Sequence, residues 1–98
     1  MSAHTKGPWV ISGGGSLHLS VLSQDDEQTI ADVWFIRRDP EEGNANARLI
    51  AASPDLLEAI RLILPMAKGY ANQHRVGSNQ AYCDQAEAAI RKATGEQP

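Results

Sequence analysis

The sequence contains one cysteine, Cys83, which excludes an intrachain disulfide and suits a reducing compartment. No stretch approaches the ~20 consecutive apolar residues that a membrane-crossing helix requires, so no membrane partner is expected. The opening MSAHTKGPWV has no apolar core of the kind a secretion signal needs. Basic charge is not in surplus. Nine Lys and Arg stand against 12 Asp and Glu, a formal net charge of -3. A duplex nucleic-acid binder usually shows a basic stripe, so nucleic acid is a disfavoured partner. The acidity is also too mild for a mimic of DNA. Aromatics are sparse: Trp9, Trp34, Phe35, Tyr70 and Tyr82. At 98 residues the chain forms one domain with a marginal core, which self-association would reinforce.

Residues with catalytic potential are equally thin. His4, His18 and His74 are scattered along the chain, and none has the helical i, i+4 partner of a zinc pair. Cys83 has no CxxC mate and no neighbouring base, so it reads as a small hydrophobe. Gly13-Gly14-Gly15 lacks the Lys-Ser/Thr of a phosphate loop and leads into a strand pattern. Asp32 interrupts an apolar run and reads as an exposed edge residue or the partner of an arginine. No metal, no cofactor and no enzymatic activity are expected.

What the chain does have is pattern. Asn44 to Leu64, NANARLIAASPDLLEAIRLIL, is its longest apolar-periodic stretch, with Leu49, Ile50, Leu56, Leu57, Ile60 and Leu64 expected in the core. Ser53-Pro54-Asp55 inside it has the grammar of a helix start: a serine cap, proline at the first position, and an acid in the first turn. The stretch is thus two helices meeting at Ser53 or one helix kinked there. Upstream, Pro8–Ser12 and Ser16–Leu22 alternate as strands around the glycine turn. Thr29–Ile36, TIADVWFI, is the strongest strand. Downstream, a last helix over 79–94 carries the stripe Tyr82, Ala86, Ala89, Ile90 and Ala93. Ser78 or Asn79 is its expected cap and Gly95 its stop.

Strands followed by helices predict an α+β fold. It has an N-terminal three-stranded antiparallel sheet with a C-terminal antiparallel helix pair packed on one face. The expected organisation over 1–98 is a loose arm at 1–7, strands within 8–36, a helical segment at 44–70 broken or kinked near Pro54, and a helix at 79–94.

Two surfaces compete for function. The strand Thr29–Ile36 is apolar on both sides, and the helices can cover only one. Ile30, Trp34 and Ile36 are therefore candidate interface residues of a homo-oligomer. The other surface is polar: Arg37 and Arg38 close that strand, while Asn44, Asn46 and Arg48 open the helical stretch. Arginines, amides and free N–H groups at a helix start suit an anion or phosphate, and Trp34 or Trp9 could stack a base.

NARLIAASPDLLEAI at Asn46–Ile60 closely resembles a motif of small bacteriophage and prophage proteins. The same layout has a GPW opening (here Gly7-Pro8-Trp9), an IADV strand (Ile30–Val33) and an AAIRKATG ending (Ala88–Gly95). The chain departs from it at Ser53, where alanine is common. The resemblance implies a phage accessory protein working in the host bacterial cytoplasm. In outline the chain is also similar to anti-defence sponges directed against Thoeris and related nucleotide-signalling systems. That likeness implies sequestration, without cleavage, of a cyclic nucleotide or ADP-ribose-type signal. The alternative is a protein–protein inhibitor or adaptor acting on a host protein.

Overall fold

The computed structural model describes residues 4–13, 17–25, 28–35 and 39–96. Three strands come first: β1 (Trp9–Gly13), β2 (His18–Ser23) and β3 (Thr29–Trp34). Two helices follow, α1 (Pro40–Gln73) and α2 (Gly77–Thr94). The strands pair antiparallel in the order β1-β2-β3, so β2 is central and β3 is an edge. This is the expected α+β class. The chain divides into two compact units, His4–Asp55 and Leu56–Pro98, and α1 contributes to both.

In the first unit, Ile11 pairs with Val21, Val21 with Ala31, and Leu19 with Val33. Partners directly opposite share a face, so these residues mark one side of the sheet. Val21, Val33 and Ala47 of α1 form the buried centre, with Trp9, Leu19, Ile30, Ile50 and Ala51 packed against it. Val21 and Ala47 are fully buried. Burying a valine side chain is worth roughly 1.5–3 kcal/mol, so a few such residues fix the orientation of α1 on the sheet.

Ile30 corrects one expectation. The register passes from Val21↔Ala31 to Leu22↔Thr29, which leaves Ile30 as an extra residue in β3. Such a bulge breaks strict alternation. Ile30 therefore joins the core rather than the face that carries Trp34. The opposite face is mixed, with Ser12, His18, Ser20 and Asp32 beside Val10, Leu22 and Trp34. Ser20 Oγ donates to Asp32 Oδ1 at 2.7 Å, and the His18 and Trp34 rings lie 4.5 Å apart.

Two close approaches set this unit. Gly43, buried on α1, lies under the Phe35 ring; a Cβ there would fall 2.1 Å from Phe35 Cδ1. Gly7 sits against Pro54, and a Cβ there would come within 3.0 Å of Pro54 Cβ. The segment before β1 is also held: the Trp9 indole N–H donates to the Thr5 carbonyl at 3.1 Å, and His4 meets the Trp9 ring edge-on. Of the arm expected at 1–7, His4–Gly7 makes these contacts; Met1–Ala3 lie outside the described residues.

The helix start is the second correction. α1 begins at Pro40, not Asn44. Asp39 Oδ1 accepts from the Glu41 and Glu42 backbone N–H groups at 3.0 and 3.3 Å. Asp39-Pro40-Glu41-Glu42 thus carries out the cap, proline and acidic first turn assigned from sequence to Ser53-Pro54-Asp55. Ser53 is an interior residue whose Oγ donates to the Leu49 carbonyl at 3.0 Å. α1 runs unbroken through both Pro54 and Pro65.

In the second unit, α1 from Leu56 onward and α2 form an antiparallel hairpin. Gln80 Nε2 donates to the Ala71 carbonyl at 3.2 Å, and Lys68 pairs with Glu87. The Glu87 carboxylate also meets Arg91 at 3.3 Å. The hydrogen bond and charge of Lys68 hold the Glu87 carboxyl below its ordinary range, and Glu87 raises Lys68 in the same way. Leu57, Ala71 and Cys83 are the buried residues here. α2 starts at Gly77 behind an extended Val76 with no side-chain cap. Asn79, an expected cap, instead donates from Nδ2 back to the His74 carbonyl at 3.0 Å. Gly95 ends α2 with φ 79, and the Glu96 N–H closes on the Arg91 carbonyl at 2.9 Å. No helix among the described residues is long and apolar enough to cross a membrane.

Candidate functional site

The first unit carries an open groove of about 440 Å³ lined by Asp32, Val33 and Trp34 of β3 and by Asn46, Leu49 and Ile50 of α1. It forms because β3 is the last strand of the sheet, so its outer edge has no strand beside it among the described residues. α1 runs alongside and supplies the other wall. Ile50 and Val33 belong to the core assembly and are set by packing. Trp34 and Leu49 are 58% and 63% exposed. Large apolar groups exposed on both walls of one groove mark a contact surface better than either alone.

The polar content of the groove is small. Asp32 accepts from Ser20, which is its cross-strand partner, and so is held in place at the surface. Asn46 provides a carboxamide. Among the described residues, no arginine or lysine lines the groove. Among the described residues, no three His, Cys, Asp or Glu side chains come together as metal ligands could.

The candidate residues from sequence fall into three groups. Trp34 and Asn46 meet in the groove. Asn44 and Arg48 do not join them. Asn46 and Arg48 are two residues apart on α1, about 200° around its axis, with buried Ala47 between them. Arg37, Arg38 and Ile36 lie outside the described residues. The helix-start N–H groups expected near Asn44 lie upstream instead, where Asp39 satisfies those of Glu41 and Glu42 and its carbonyl accepts from Gly43 at 3.1 Å. A carboxylate at that end competes with any incoming anion.

Asp32, Val33, Leu49 and Ile50 are the groove residues that the reading of binding positions omitted. Leu49 was assigned to the core with Ile50, yet it stands at the surface. The helical wheel held the signal: Ala47, Ile50, Ala51 and Pro54 share one face, and Leu49 lies far around the axis from Ala47.

The family described as Salmonella phage P22 protein Y8K6 matches residues 1–97. The chain belongs to this family. The phage accessory role implied by the central motif gains support at that level. No curated protein and no solved structure matches the chain. The Y8K6 family description names no ligand, partner or reaction, so the chemistry of the groove has to carry the functional argument.

Proposed function

We propose that this member of the Y8K6 family is a non-enzymatic phage accessory protein that binds a host protein as an inhibitor or adaptor. The binding site is the β3–α1 groove. The observation that carries this reading is a sheet edge with no strand beside it among the described residues, flanked by two exposed apolar groups, Trp34 and Leu49. A free strand edge offers N–H and C=O groups in register for an extended segment. Flanking apolar pockets then select alternate side chains of that segment. Trp34 stands against His18, which limits its rotamers and lowers the entropy cost of contact. Asp32 favours a basic or hydrogen-bond-donating residue in the bound segment.

The test is capture of host proteins by tagged wild-type chain, Trp34→Asp, Leu49→Asp and Arg48→Asp. Arg48 lies off the groove and serves as the control. The expected result is a stoichiometric partner retained by wild type and Arg48→Asp and lost by both groove variants. A partner retained by all four, or self-association alone, contradicts the reading.

A second reading rests on a different observation. Trp34 and Asn46 line the same groove, and its volume falls within the usual range for small-ligand sites. An aromatic face and a carboxamide suit a nucleobase. On this reading the protein is a counter-defence factor that sequesters a cyclic nucleotide or ADP-ribose-type signal. The carboxylate of Asp32 weighs against phosphate. Calorimetry against such nucleotides decides it: micromolar binding abolished by Trp34→Ala supports sequestration, and no heat from any of them removes it.

A further inference from the structure

The helical hairpin has more apolar surface than its two helices use on each other. Along α1, Leu57, Ile60, Leu64, Ala67 and Ala71 recur at spacings of three and four residues, and all are buried or half-buried. These residues face α2. A second series, Leu56, Ala59, Ile63, Met66 and Tyr70, recurs at the same spacing one residue earlier, and all of it is exposed. Met66 is 77% exposed. Apolar residues at alternating three- and four-residue steps form the seam by which one helix packs along another. α1 therefore carries two seams, and α2 occupies only one.

We propose that a second copy of this chain docks on the exposed seam, α1 against α1, so that two hairpins close a four-helix bundle. Three observations favour a second copy over an unrelated partner. First, two of the three buried residues of the hairpin, Ala71 and Cys83, are small, while Leu56, Ile63, Met66, Tyr70 and Tyr82 are exposed. A pair of helices with so little core is completed by another pair. Second, the seam is self-complementary about Ile63. Antiparallel docking places Ile63 on itself and Leu56 beside Tyr70 of the second copy, with Ala59 and Met66 facing the second copy between those layers. That is the isologous pattern a two-fold axis requires. Third, the seam holds no charged residue, so like charges do not face each other across that axis. A groove of about 270 Å³ is lined by Leu56, Ala59 and Ile63 of the seam together with Tyr82, Cys83 and Ala86 of α2. Side chains of the second copy would fill it.

This contact is separate from the β3–α1 groove, so its failure leaves the proposed function standing. The experiment is sedimentation of the full chain across a concentration series, with Ile63→Glu and Met66→Glu, and oxidation of Ile63→Cys beside a Glu58→Cys control. Both glutamates replace exposed residues, and circular dichroism verifies that the helices persist. The expected result is a wild-type dimer and variants whose dissociation constant rises at least ~100-fold, because a charge must be desolvated on each side. Ile63→Cys links covalently and Glu58→Cys does not. A wild-type monomer at every concentration overturns the proposal. So does a dimer indifferent to both glutamates, or one in which the two cysteine variants link equally.

Discussion

The two units of this chain solve the problem of a small core in opposite ways. In His4–Asp55 the sheet and the first turns of α1 press together closely enough that glycine is required at Gly43. In Leu56–Pro98 two helices meet along one seam and leave a second seam open. The difference suits the two proposed roles: a groove on the tightly packed unit for binding, and the open seam of the loosely cored unit for assembly. A groove needs walls that stay in place. A dimer seam instead needs apolar surface left over.

Substitutions can break this contrast, and the largest expected effect is at Gly43. A glycine-to-alanine change inside a helix ordinarily stabilises by up to ~1 kcal/mol. At Gly43 the new Cβ meets the Phe35 ring, so the sign reverses. Gly43→Ala should cost about 3 kcal/mol in denaturant unfolding, and Phe35→Leu in the same chain should restore part of it. Stabilisation by Gly43→Ala would show that the contact is not held in solution.

Next comes a pair of adjacent leucines in the hairpin. Leu57 is 9% exposed and Leu56 48% exposed. Leu57→Ala should cost about 2 kcal/mol, toward the lower end of core truncations because the cavity lies close to solvent. Leu56→Ala should change dilute, monomeric stability by less than ~0.5 kcal/mol while weakening self-association. Equal costs measured at low concentration would erase the distinction between the two seams. Gly7→Ala should have a smaller effect, about 1 kcal/mol, through the close approach to Pro54. Trp9 fluorescence provides a local readout.

The smallest effect concerns Lys68 and Glu87. Because Lys68 lowers the Glu87 carboxyl, that side contributes stability above the ordinary carboxylate range and loses it as pH falls through the lowered value. Because Glu87 raises Lys68, the other side contributes below the ordinary lysine value and loses it as pH rises through the raised one. Both groups sit at the surface, so the gain is slight and screened by salt. Glu87→Gln should lower the melting temperature marginally at neutral pH, with the gap closing in acid and at high ionic strength.

Much of the fold was legible in the residues. Alternation in the strand segments and the Arg91-Lys92-Gly95 ending of α2 determine local structure over a few positions, so they survive folding intact. The helix start was misassigned because two sites share the same grammar. Asp39-Pro40-Glu41-Glu42 has the grammar of Ser53-Pro54-Asp55 but reads as a charged turn that breaks the strand, and only the fold shows that the first starts the helix and the second lies inside it, pinned by Ala47, Ile50 and Ala51 on the sheet. The bulge at Ile30 was equally invisible, since register is a property of two strands and not of one. The groove was half legible: Trp34 and Asn46 stood out by residue type, but Leu49 had the chemistry of a core residue and only its angle on the helix told otherwise. The second seam was written in the sequence all along, one residue out of phase with the first.

Amide hydrogen exchange followed as a function of protein concentration tests the contrast most directly. If the sheet unit is complete in itself and the hairpin is completed by a second copy, protection across Leu56–Thr94 rises with concentration. Protection of β2, β3 and the first turns of α1 stays constant. Protection in the hairpin that is high and independent of concentration, or a concentration dependence confined to the sheet, would contradict the account.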